Sequence, residues 1–131
     1  MNHKFNTIVN LQATRLDDII LYAHNPKGSG KIQSLKWHPI KLSMSGQSLA
    51  IDTEYTEAGP RYKIAANLRL KEQLSWDINY GIVLVAEFCG GEIRIIGTPN
   101  IPIRLENDWN LTQKRLSFTH VTPVFPLIYT L

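Results

Sequence analysis

The chain is poor in cysteine: Cys89 is the only one in 131 residues. An internal disulfide is excluded, and no Cys/His cluster offers a structural zinc site. Charge is scarce too. Asp, Glu, Lys and Arg make up 19%, with a formal net charge of +3 and a pI near 9.1. That balance falls well short of a dedicated polyanion binder. Long apolar runs are missing: Ile82-Val83-Leu84-Val85-Ala86 is strand-sized, whereas a membrane helix needs about 20 residues. The segment Met1–Asn10 has no continuous apolar stretch, so it reads as no secretory signal, which needs about 7–15 apolar residues there. Hydrophobic residues are nonetheless 44% of the chain, enough to exclude a disordered tail, a coiled coil or a collagen-like fibre. The expectation is a single β domain over residues 1–131. It has no membrane partner and is cytoplasmic, in a reducing compartment.

What is present is period-2 alternation. In Arg61 to Leu70, the residues Tyr62, Ile64, Ala66, Leu68 and Leu70 share one parity, and Arg61, Lys63, Ala65, Asn67 and Arg69 the other. Side chains alternate across a strand, so one face packs and the other is solvated or docked. Asp18 to Tyr22 reads as a buried strand or the end of a short helix. Lys36 to Met44 alternates around Pro39, which lacks an amide donor and demotes the strand to an edge or a bulge. Ile82–Phe88 and Glu92–Ile96 flank Cys89-Gly90-Gly91, the pattern of a hairpin. Ile101 to Glu106 and Leu111 to Val121 alternate again, with Leu116, Phe118 and His120 on one face. The apolar tail Thr122–Leu131 packs on this domain or on a neighbour, and the Phe5–Val9 arm has the same two options. Leu70 to Tyr80 is the single helical candidate, stopped by Gly81. The sum is all-β: an antiparallel sandwich or barrel of seven to eight strands, with one short helix at most.

The patterns that carry chemistry fail one by one. Lys27-Gly28-Ser29-Gly30-Lys31 resembles a phosphate-binding loop, but Asn25 stands where its first glycine belongs and Ile32 where Ser or Thr belongs. Asp52 and Glu54 point to one side of an extended segment, with Glu57 nearby, and no further ligand group of matching type is close in sequence. His3, His24, His38 and His120 lack the spacing of a helical metal pair. A Cys89–His120 pair is the one conceivable activated thiol, yet Cys89 sits in a turn with no helix N-terminus to lower its pKa. No Gly-x-Ser-x-Gly elbow occurs. The reading is therefore not an enzyme, with no catalytic residue, no cofactor and no metal ligand assigned. Nucleic acid is a possible partner through Arg61, Lys63, Arg69, Lys71, Arg94 and Arg104 with Tyr62, Trp37 and Tyr80, as in oligonucleotide-binding barrels. It is not favoured, because Tyr62 lies on the apolar parity, opposite Arg61 and Lys63.

Three stretches carry a family resemblance. An acidic segment leads into a Gly-x-x-Tyr strand start, Thr53-Glu54-Tyr55-Thr56-Glu57-Ala58-Gly59-Pro60-Arg61-Tyr62-Lys63-Ile64. About fifteen residues later comes an apolar strand with a glycine turn, Ile82 to Gly91, and then a strand, Gly, loop, Pro and strand, Glu92 to Leu105. Over about Thr53 to Phe118 this resembles uncharacterised minor structural or tail-region proteins of Bacteroidetes prophages and mobile elements. Those proteins usually have Asp or Asn where this chain has Cys89. The resemblance implies a non-enzymatic structural or assembly role in a tail or neck region. The partners would be proteins, by self-association or with other phage-like subunits, and the location virion-associated. From a different class, the alternative is a small β-barrel binding module for nucleic acid or carbohydrate.

Overall fold

The computed structural model describes residues 2–4, 7–43, 48–72, 74, 76, 80–109 and 114–129. Twelve strands occur among them: β1 (Asn2–Lys4), β2 (Ile8–Arg15), β3 (Ile19–His24), β4 (Ser29–Ser34), β5 (His38–Ile40), β6 (Ser48–Thr56), β7 (Gly59–Arg69), β8 (Ile82–Phe88), β9 (Ile93–Ile96), β10 (Glu106–Trp109), β11 (Lys114–Thr122) and β12 (Leu127–Tyr129). One 3-10 turn, Leu16–Asp18, precedes β3. The strands form a five-stranded sheet of order β1-β6-β7-β11-β10 and a seven-stranded sheet of order β3-β4-β12-β9-β8-β2-β5. Neighbours are antiparallel except β12 with β4, which run parallel.

Alternation explains how the sheets stack. Along β7, Ile64, Ala66 and Leu68 are buried while Arg61, Lys63, Asn67 and Arg69 are exposed. The buried row meets Leu49 and Ile51 of β6, Leu116 and Phe118 of β11, and the inward residues Leu11, Ala13, Leu84, Ala86 and Ile96 of the other sheet. Two sheets with one shared apolar layer make a sandwich. One end is closed by Phe125, which packs edge-on against Tyr62 at 5.2 Å and lies under the Arg94 guanidinium at 5.5 Å.

β8 is apolar on both parities because it is covered on both faces. Ile82, Leu84, Ala86 and Phe88 enter the layer between the sheets, whereas Val83 joins Ile32, Ile95 and Leu127 in a second apolar cluster on the opposite face. That second cluster exists because the seven-stranded sheet curls. Ser34, at the end of β4, reaches Thr14 on β2, four strands away, and their hydroxyls share a hydrogen bond. The roll does not close into a barrel: the order still ends on β3 and β5. β12 fits beside β4 only because Gly30 has no side chain, since a Cβ there would stand 2.8 Å from Leu127 Cδ1 and 3.2 Å from the Ala23 carbonyl.

Several expectations need correction. The strand count is higher than seven to eight: β1 and β10 arise in polar segments, and β12 in the apolar tail, none of which reads as a strand of its own. The expected helix over Leu70–Tyr80 is absent from its described residues: Leu70 bridges Leu42, and Lys71 N donates to the Lys41 carbonyl at 2.9 Å. Those bonds prolong the β7 ladder in place of a helical turn. Residues 73, 75 and 77–79 of that segment lie outside the described residues, as do residues 5–6 of the amino-terminal arm and 111–113 ahead of β11. The expected strand over Ile101 to Glu106 is not formed either: residues 101–105 lie outside any strand, and Glu106 begins β10. Ile103 and Leu105 are buried, but Ile103 makes only a single bridge, to Ile82, and Pro102 interrupts the donor row. Asp18 to Tyr22 does enter a strand, though at the sheet edge and half exposed. Both terminal strands pair within their own chain, β1 on β6 and β12 between β4 and β9.

Candidate functional site

The mouth of the curled sheet is a cleft of about 210 Å³ lined by Asn10, Gln12, Trp37, Val85, Glu87, Ile93 and Tyr129. The strands grade its depth. On β8 the outward parity runs from buried Val83 through half-buried Val85 to half-buried Glu87. On β2 it runs from buried Thr14 through Gln12 to exposed Asn10, and on β9 from buried Ile95 to half-buried Ile93. The base is thus apolar and the rim polar, the usual composition of a small-ligand site. Register sets the rim: Asn10 stands opposite Glu87, and Glu87 opposite Ile93.

Trp37 forms one wall because the connection from β4 to β5 is pinned. The Thr14 hydroxyl, fully buried, reaches the Lys36 carbonyl at 3.1 Å, and the Ser34 hydroxyl reaches the Asp18 carbonyl, also at 3.1 Å. Leu35 N adds a bond to the same Asp18 carbonyl at 2.8 Å. Tyr129 supplies another wall from the end of β12, and both rings pack on the second apolar cluster.

A different surface lies along β3, which among the described residues is a free edge of the seven-stranded sheet. Ile20 is 63% exposed, Leu21 41% and Leu35 76%. They are neighbours: Ile19 pairs with Ser34, Leu21 with Gln33, and the register slips at Ile20. Edge strands are commonly blunted by Lys or Pro. β3 carries neither, whereas the opposite edge, β5, carries Pro39.

The residues weighed from sequence end up on separate surfaces. Glu54 and Arg61 form an exposed ion pair at 2.7 Å, and Asp52 stands opposite Lys63. The acidic cluster and the basic row therefore face each other across β6 and β7. Arg94 contacts Glu92 and donates to the Pro126 carbonyl at 2.7 Å. Tyr62 packs on the core, Trp37 lines the cleft, and Tyr80 lies 3.6 Å beneath the Arg15 guanidinium. These aromatics and cations do not share one face. Cys89 is exposed in the β8–β9 turn and His120 is buried between the sheets, so the conceivable thiol pair is not assembled. Lys27 to Lys31 is a turn running into β4, with Gly28 N bonded to the Asn25 carbonyl at 3.0 Å.

Two histidines have displaced pKa values. Burial pushes His120 below the usual imidazole range. His38 is lowered by burial first and then by Lys36, partly opposed by Asp18; its ring stacks on Trp76 at 4.9 Å. Among the described residues no three His, Cys, Asp or Glu side chains group as a metal site, and no helix is long and apolar enough to cross a membrane. Comparison of the chain with protein-family models, curated proteins and solved structures gave no match.

Sequence reasoning misses the cleft. Nothing in the patterning singles out Asn10, Gln12, Glu87 and Tyr129 together, and Trp37 stands out only as a base-stacking aromatic. One signal is available: Glu87 is the sole charged residue in an otherwise apolar β8.

Proposed function

We propose that this chain is a non-enzymatic structural or assembly protein that acts by protein–protein association. Its context is a phage- or prophage-like particle, in the tail or neck region. The exposed apolar edge of β3, with Ile20, Leu21 and Leu35 beside a strand ladder unpaired among the described residues, is the observation that carries this reading. An unpaired ladder offers main-chain hydrogen bonds to a partner strand, and apolar side chains beside it add burial. The family resemblance over Thr53 to Phe118 is what suggests the phage-like context. Partners are further copies of the chain or other subunits of the particle.

Light scattering on a size-exclusion column across a hundredfold concentration range tests the self-associating form. A defined oligomer or larger assembly is expected, reduced to monomer by Ile20→Lys combined with Leu35→Lys. A strict monomer at every concentration would remove self-association from the proposal. An oligomer unchanged by the double variant would move the interface away from β3.

A further inference from the structure

We propose that the cleft at the mouth of the curled sheet binds a single neutral sugar ring. This inference is independent of association through β3, which lies at the edge of the sheet and shares no lining residue with the cleft.

Four observations converge on that ligand class. Two aromatic side chains, Trp37 and Tyr129, line a space whose base is apolar, so one face of a ligand meets carbon and ring surface. Three planar polar groups, Asn10, Gln12 and Glu87, stand on adjacent strands at the rim, and no hydrogen bond or ion pair occupies their side chains among the described residues. The two amides offer donors and acceptors together, and the carboxylate offers acceptors only. Sugar hydroxyls both donate and accept, so they satisfy the whole set. Finally, the volume of about 210 Å³ lies below the roughly 300–1,000 Å³ of drug-sized sites, which suits one small ring and not an extended chain.

Charge narrows the choice. Glu87 is the only charged group among the described lining residues, so phosphates and uronic acids meet an uncompensated carboxylate there. A quaternary ammonium would suit Glu87 and the two rings but would leave the amide donors of Asn10 and Gln12 unmatched. Binding without cleavage is expected, because the usual glycoside hydrolysis needs two carboxyl groups flanking the bond and the described lining holds one.

The test uses the full chain labelled with nitrogen-15 and titrated separately with D-glucose, D-galactose, D-mannose and N-acetyl-D-glucosamine. Choline and adenosine serve as contrasts. At least one sugar is expected to give a saturable shift of the Trp37 indole N–H, assigned with Trp37→Phe, together with the amides of Asn10, Gln12 and Glu87. For so small a ligand the expected Kd is on the order of 1 mM. Glu87→Gln and Gln12→Ala change rim side chains, and their spectra elsewhere report that folding is intact. Each should weaken binding about tenfold, while Ile20→Lys with Leu35→Lys should leave it unchanged. No saturable shift with any of the four sugars overturns the proposal. So does binding that survives both rim variants, or a response to choline or adenosine alone.

Discussion

At the scale of single residues, the polar groups inside the sandwich matter most. His120 is 5% exposed, faces the apolar layer, and its Nε2 has no hydrogen-bond partner among the described residues. Burial favours the neutral ring, whereas the unfolded chain takes up a proton below about pH 6.5. The contribution to stability is therefore fully present above that pH and is lost as pH falls toward the lower folded-state pKa. Inside that window each pH unit costs up to about 1.4 kcal/mol. His120→Leu removes the titration. Urea unfolding at pH 7.5 and pH 5 should show a smaller pH difference in the variant than in the parent chain. An identical difference in both would assign the acid sensitivity elsewhere, with His38 the next candidate because burial and Lys36 lower it as well.

Strands are where sequence reading succeeds and fails for visible reasons. β7 is legible because one sheet face is covered and the other is not, so burial follows the alternation of its charges. The β8–β9 hairpin is legible because Gly90 and Gly91 take φ of 108° and 94°, a region costly for other residues. Ile103 and Leu105 mislead for the opposite reason: they are buried as strand residues would be, although only Ile103 bridges a neighbour. The cleft is out of reach because its lining comes from residues 10 to 129 and depends on the curl of one sheet. Burial patterns report which face is covered, not which distant strand covers it. β12 illustrates the point, since a three-residue strand in an apolar tail joins β4 to β9. Gly30 makes that insertion possible. Gly30→Val should push against Leu127 Cδ1 and the Ala23 carbonyl and destabilise the fold by about 1–3 kcal/mol. Denaturant unfolding measures the loss, and faster amide exchange at Ile128 and Tyr129 would place it at β12.

For the whole molecule, the question is whether two apolar clusters behave as one. The larger lies between the sheets and the smaller fills the curl of the seven-stranded sheet. β8 belongs to both, with Leu84 turned to the first and Val83 to the second. β9 does the same through Ile96 and Ile95. A strand cannot melt on one face alone, because its ladder bonds serve both. Loss of either cluster should therefore unfold the other in a single transition, as small domains generally do. Leu116→Ala opens the layer between the sheets and Leu127→Ala opens the curl. Each should cost about 2–5 kcal/mol, and each should shift tryptophan fluorescence and far-ultraviolet circular dichroism together. Trp37 packs on the smaller cluster and Trp76 on the larger, so the fluorescence samples both. Two separated transitions in Leu127→Ala would show instead that the curl, and the cleft at its mouth, open while the sandwich stays folded. Sugar binding would then be lost at lower denaturant than the sandwich itself. One coincident transition ties the cleft to the stability of the entire fold.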